Sequence, residues 1–314
     1  MSSGLSRFNK KPIIISAGCS FTDPDFISSL EDLPSERRGG WPIWSDRFWW
    51  KLEKFHDKKY RIIHTGKSGG SMDYAYEQII KNISVFGKKI DYVLWGGTTW
   101  ERWNDTHSSF CINPMQYFAD RKPIKIDEKV ERYPLEEWEM FGDISIALMS
   151  KYYGTKDGKI RIMNEGLRKM WTILKLCEQY NITLLYYQIL APIAGSNYIK
   201  KCIQRHYNIS DDSPHMDWRT PISVRCELDA DYEWEMSESQ KSPYFRDLLQ
   251  YNKHFLGVYY LEPDSRPWNW DNTTDENVID NTKNSHGVRD GHPNMYGHKN
   301  IANCLWRHYE ANFT

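Results

Sequence analysis

Apolar and polar positions in this chain fall into two alternating patterns: short continuous apolar runs, and longer stretches with helical spacing. The first run is Ile13-Ile14-Ile15, followed by Ser16-Ala17-Gly18-Cys19-Ser20-Phe21-Thr22. Three consecutive β-branched residues suit a strand covered on both faces, as in a parallel sheet. The polar segment Asp23 to Pro42, broken by Pro24, Pro34, Gly39 and Gly40, reads as a loop. Ser45 can cap a helix running to about Phe55, with Phe48, Trp49, Leu52 and Phe55 on one face. Tyr60 to Thr65 is a second strand ending in Gly66-Lys67-Ser68-Gly69-Gly70, a turn that opens a helix from Ser71 to Phe86. Ala75, Ile79, Ile80 and Ile83 mark the buried side of that helix. Asp91 to Trp95 is a third strand, again closed by glycines, Gly96 and Gly97.

From Trp100 to Lys159 regular alternation lapses, apart from one helix near Leu135 to Met149. Asn164 to Tyr180 is an amphipathic helix, and Ile182 to Leu190 a fourth strand closed by Ala191-Pro192. Ser196 to Val224 is polar and Glu227 to Glu238 acidic; Phe255 to Leu261 is a candidate fifth strand. Pro263 to Asn284 reads as loop, and His298 to Tyr309 as the final helix. Strands alternating with helices predict an α/β protein, a three-layer α/β/α sandwich around a mostly parallel sheet of about five strands. The expected organisation is a single domain over 1–314, with insertions at about 100–160 and 196–250. The glycine turns after the first three strands then share the carboxyl edge, where ligands bind in such sheets.

Composition narrows the partners. Lys and Arg total 41 against 42 Asp and Glu, so bulk attraction to nucleic acid or an anionic membrane is not expected. No apolar run approaches the roughly 18 residues of a membrane span, and Met1 to Lys11 lacks a signal-peptide apolar core. A cytoplasmic location is the expectation. The 6 cysteines form no C-x-x-C pair and are expected as reduced thiols. Sequons such as Asn181-Ile182-Thr183 are then chance matches. The 14 Trp residues crowd around 41–50 and 95–103. They serve core packing or form a stacking wall for a sugar.

Acyl transfer needs a nucleophile, a base and donors for the oxyanion. Ser20, just past the first strand, is the nucleophile candidate. In Asp290-Gly291-His292-Pro293-Asn294, His292 is the candidate base and Asp290 the carboxylate that orients it. The backbone N–H groups of Ser20 and Gly69 are candidate oxyanion donors. Arg102 and Trp100 are candidate substrate-binding residues, Arg102 for a carboxylate or phosphate. Cys19 is a weaker rival nucleophile. His286, Asp290, His292 and His298 could instead ligate zinc, but their spacing fits no strong template.

These segments together resemble the SGNH/GDSL-type hydrolases. Gly18-Cys19-Ser20-Phe21-Thr22 is similar to that family's first motif, with Ser20 on the nucleophile, and His64-Thr65-Gly66-Lys67-Ser68-Gly69 to its second, whose last glycine donates to the oxyanion. Trp95-Gly96-Gly97-Thr98 stands at the third motif, and Asp290 to Asn294 resembles the last, carrying acid and base. The order is that of the family and spans nearly the whole chain. Cys19 replaces the family's aspartate and His64 its asparagine in the second motif; Thr98 or Thr99 replaces the asparagine that donates to the oxyanion, and the resemblance makes Thr98 the candidate third donor. The family's acid lies three residues before the base, where Arg289 stands here; Asp290 is two before. The resemblance implies a flavodoxin-like sandwich and serine-dependent ester hydrolysis or acyl transfer, without cofactor or metal. A small-molecule or carbohydrate ester, such as an O-acetylated sugar, is the implied substrate. The alternative is a catalytically weak or inactive protein of this fold that binds a glycan through its Trp-rich edge.

Overall fold

The computed structural model describes residues 11–25, 42–100, 102–104, 111–112, 156–190, 192, 234–262, 264–268, 278–279 and 290–314. In chain order the main elements are β1 (Ile13–Ala17), α1 (Trp44–His56), β2 (Arg61–His64), α2 (Met72–Phe86), β3 (Ile90–Gly97), α3 (Lys156–Tyr180), β4 (Thr183–Gln188), α4 (Phe245–Gln250), β5 (Phe255–Leu256), β6 (Val278–Ile279), β7 (Asp290–Pro293) and α5 (Met295–Phe313). Five strands form one parallel sheet in the order β2-β1-β3-β4-β5. This is the flavodoxin-like order of doubly wound sheets. A separate antiparallel ribbon pairs β6 with β7, and Trp103–Asn104 pairs with Cys111–Ile112.

Alternation along the strands splits the core into two layers. Ile13, Ile15, Ala17, Val93, Trp95, Leu184 and Tyr186 face α2 and α3, meeting Ala75, Ile79, Leu167 and Leu174. Ile14, Tyr92, Leu94, Leu185 and Tyr187 face α1 and α5, meeting Phe48, Leu52, Ile301 and Leu305. Burial on both faces explains why β1 reads as an uninterrupted apolar run: all five of its residues are buried.

The helices expected from periodicity form, with shifted ends. The N-cap of α1 is Ile43 rather than Ser45, and the Asp46 carboxylate accepts the Ile43 N–H at 3.0 Å. Ser71 caps α2, accepting from the Tyr74 N–H at 3.1 Å. Helix α3 begins eight residues before the expected Asn164, at Lys156. Strand β3 runs on through Gly96 and Gly97. The absence of side chains there is what lets neighbours close in: a Cβ on Gly96 would lie 2.5 Å from Thr22 Oγ1, and one on Gly97 would lie 2.8 Å from Gln188 Oε1. The expected fifth strand, Phe255 to Leu261, stops after two residues because Gly257 turns the chain at φ +78°. The helix expected at Leu135 to Met149 and most of both insertions lie outside the described residues. No helix among the described residues is long and apolar enough to cross a membrane.

Candidate active site

Three sheet strands and the β6–β7 ribbon bring the candidate residues to one edge. Past β1, the Thr22 N–H donates to Cys19 O at 2.8 Å, closing a turn with Ser20 and Phe21 at its corner. Thr22 is fully buried. Its hydroxyl side chain fits between two glycines, since a Cβ on Gly18 or Gly96 would come within 2.5 Å of Thr22 Oγ1. The spacing of Gly18 and Thr22 around Ser20 is therefore a packing requirement between β1 and β3.

The second turn docks against the first through backbone. The Thr65 N–H donates to Ser16 O at 2.7 Å and the Lys67 N–H to Gly18 O at 3.1 Å. The Gly70 N–H donates to Lys67 O at 2.8 Å, closing a turn in which Gly69 adopts φ +73°, the left-handed conformation that glycine accepts without strain. Asp23, read from sequence only as loop, ties the two turns together: its Oδ2 accepts the Ser68 N–H at 2.7 Å and its Oδ1 the Asp25 N–H at 2.9 Å. The Asp-Pro-Asp sequence was the available signal, as aspartates there favour such local backbone bonds.

His292 arrives from the other end of the chain. Its Nε2 lies 2.7 Å from Ser20 Oγ. Its ring packs against Phe21, with centroids 4.9 Å apart. Asn294 directly follows Pro293 and caps α5, its Oδ1 accepting the N–H groups of Tyr296 at 2.8 Å and Gly297 at 2.9 Å. The strand bearing His292 is thus anchored to a 19-residue helix. Asp290 stands two residues earlier in β7; its side chain lies outside the described residues.

The third turn differs from what the sequence suggests. Thr98 is only 1 % exposed, and among the described residues its hydroxyl has no hydrogen-bond partner. Its carbonyl accepts from Gln188 Nε2 at 2.9 Å. Trp100, expected at the substrate edge, is instead 6 % exposed and packed in the core, 5.6 Å from Tyr260 between ring centroids and pressed against Gly166. A large indole gains more from that apolar contact than from lining an open edge. Arg102 follows, half-buried; among the described residues its Nε and Nη1 have no partner.

The zinc alternative draws no support from the packing. His298 is buried and its Nδ1 accepts the Trp44 N–H at 3.3 Å, joining α5 to the start of α1. His286 lies outside the described residues. Among the described residues no group of three or more His, Cys, Asp or Glu side chains is arranged to hold a metal. Cys19 is buried in the apolar layer beneath the turn, and His64 is 2.9 Å from Asp46 Oδ1 through Nε2.

Sequence reasoning missed Gln188 and Phe21. Gln188 is fully buried at the end of β4, where it donates from Nε2 to Thr98 O and Leu190 O and accepts at Oε1 from the Tyr186 hydroxyl. A lone amide at the end of an apolar run was the only available signal.

No protein-family model and no curated protein matches the sequence. Among solved structures, the chain is similar to LAE5, an alpha/beta hydrolase enzyme from the metagenome of Lake Arreo, Spain, at 13 % identity and a TM-score of 0.37, covering 96 % of this chain and 97 % of that one. It is also similar to Axe2, an acetylxylan esterase from Geobacillus stearothermophilus, at 10 % identity and a TM-score of 0.23, covering 63 % of this chain and 95 % of that one. A variant of Axe2, an acetyl-xylooligosaccharide esterase, is similar at 16 % identity and a TM-score of 0.24, covering 60 % of this chain and 80 % of that one. These neighbours are hydrolases and esterases, but likeness at this level carries no argument about chemistry. That argument rests on the site itself.

Proposed function

We propose that this chain is a serine-dependent ester hydrolase or acyl transferase of the SGNH/GDSL type. The observation that carries the reading is the 2.7 Å approach of His292 Nε2 to Ser20 Oγ across 272 positions of sequence. A serine hydroxyl needs a base within this reach to become a nucleophile at neutral pH.

In the proposed reaction Ser20 Oγ donates its hydrogen bond to Nε2 and attacks the acyl carbon, while His292 takes the proton. The oxyanion of the tetrahedral intermediate receives the N–H groups of Ser20 and Gly69. As the intermediate collapses, the ester C–O bond breaks and imidazolium returns the proton to the leaving alcohol. Water, or a second alcohol, then attacks the acyl-enzyme with His292 again as base, freeing Ser20. Asp290 takes the orienting role. Asp290 stands two residues before His292 in the same strand, β7. Thr98 is the third donor in this proposal, although its sealed hydroxyl must first be reached by substrate. Loss of one oxyanion donor costs about 10²–10³ in rate, so a weakly catalytic, glycan-binding protein is the second reading, and Thr98 is the observation that favours it.

An O-acylated carbohydrate is the proposed substrate class. Arg102, at the start of the insertion, is the proposed contact for an anionic substituent on it. Trp100, packed in the core, serves to hold that segment.

Covalent labelling with a fluorophosphonate tests the mechanism. Wild type is expected to label and Ser20→Ala to lose labelling while remaining folded. Equal labelling of both proteins, or none of folded wild type, overturns the serine mechanism.

A further inference from the structure

The residue after the nucleophile has no role in the proposed chemistry, yet it touches the base. Phe21 is 5 % exposed, and its ring lies 4.9 Å from the His292 ring between centroids, at an interplanar angle of 33°. Phe21 also meets Trp268, edge-on at 6.3 Å and 73°. Trp268 is fully buried, and its Nε1–H donates to Asn300 Oδ1 at 3.0 Å. Asn300 belongs to α5, the helix whose N-cap follows the His292 strand. The four side chains form a closed circuit: Asn300 holds Trp268, Trp268 backs Phe21, Phe21 supports His292, and β7 leads back into α5.

We propose that Phe21, backed by Trp268 and Asn300, is a positioning residue for the general base. This inference rests on the serine mechanism proposed above. Two physical consequences follow from the geometry. Beside the hydrogen bond of Nε2 to Ser20, an aromatic face at 4.9 Å restricts the plane of the His292 ring, and it does so from the turn that carries the nucleophile itself. The nucleophile and the support for its base therefore move as one rigid unit. Second, His292 acquires a positive charge as it takes the serine proton. The electron-rich face of a benzene ring favours imidazolium over imidazole, so the contact strengthens as the reaction proceeds. An aliphatic residue of similar volume would fill the same space and supply neither effect.

A double-mutant cycle on the fluorophosphonate labelling rate tests this, using wild type, Phe21→Leu, His292→Ala and the double variant. Phe21→Leu is expected to slow labelling about tenfold, within the 10²–10⁴-fold that a positioned base contributes. It is expected to have no further effect once His292 is alanine, and Phe21→Tyr, which keeps a ring, is expected to restore the rate. Asn300→Ala, away from both reacting groups, is expected to slow labelling in the same His292-dependent way, and keeps the test available if Phe21→Leu unfolds. Equal slowing in the presence and absence of His292, or no rescue by tyrosine, overturns the positioning role and leaves ordinary core packing. Labelling that persists in Ser20→Ala overturns the serine mechanism and this inference with it. Labelling abolished by Ser20→Ala but indifferent to both Phe21→Leu and Asn300→Ala overturns the inference alone.

Discussion

Replacing Gln188 by leucine would remove the side chain that joins the ends of β3 and β4 with little change in volume. Three groups lose a partner at once: the carbonyls of Thr98 and Leu190, which accept from Nε2, and the Tyr186 hydroxyl, which donates to Oε1. Gln188, Tyr186 and Thr98 are all essentially inaccessible to solvent, so water does not readily replace the lost bonds. Leu190 is only half-buried, so two fully buried groups are left unsatisfied; at about 1–3 kcal/mol for each, the expected destabilisation is roughly 2–6 kcal/mol. That is a large part of the 5–15 kcal/mol typical of a folded domain. Urea unfolding followed by circular dichroism measures it, compared at equal m-value. Gln188→Glu adds a pH test. A buried carboxyl facing two carbonyls is held protonated, so its folded-state pKa lies above the unfolded value. The variant should therefore be most stable relative to wild type below about pH 4.3 and lose ground as pH rises toward the raised value. A Gln188→Leu penalty under about 1 kcal/mol would refute the reasoning, since it would mean that these groups find other partners or water.

Three further outcomes are expected. Asn294→Ala removes the acceptor for two N–H groups at the start of α5; it should cost about 1 kcal/mol in denaturant unfolding and slow fluorophosphonate labelling, because His292 lies two residues away. Glu235→Ala breaks a fully buried pair with Lys159 Nζ, 3.1 Å distant, and withdraws an acceptor from the Tyr260 hydroxyl; a loss of about 3–5 kcal/mol is expected, and a shift in melting temperature of a degree or less would contradict it. Burial holds the His254 imidazole below its ordinary pKa, while its Nδ1–H donates to Leu184 O at 2.8 Å. The unfolded chain then binds that proton more readily, so stability should fall as pH drops below about 6.5; unfolding at pH 7.5 and 5.5 should show a smaller difference in His254→Gln than in wild type.

Thr98 and Trp100 show how differently neighbouring residues can depart from their local reading. Both follow a glycine-ended strand and read as edge residues, one a donor and one a stacking surface. Thr98 is sealed because Gln188 draws the turn in against β4, and Trp100 is buried because Gly166 on α3 leaves room for an indole. Each outcome depends on a partner about 65–90 positions away. No window of local sequence contains that information.

By itself, the sequence determined the alternation of strands and helices, because a buried parallel strand must be apolar on both faces and a surface helix on only one. Ile13 to Ile15 and the stripe Ala75, Ile79, Ile83 are sufficient for that. It also determined where turns can form, since Gly18 leaves no room for a Cβ beside Thr22 and Gly69 takes a positive φ. Tertiary structure alone decided the strand order β2-β1-β3-β4-β5, the two-residue length of β5 and the extension of β3 through its glycines. It also set the 2.7 Å approach of His292 to Ser20 and decided contacts that no local sequence suggests: Asp23 with the second turn, Gln188 with the third, and Phe21 with the imidazole. Periodicity encodes which face of an element is buried. What lies against that face is set by packing between elements distant in the chain, and at this edge of the sheet that packing sets the site.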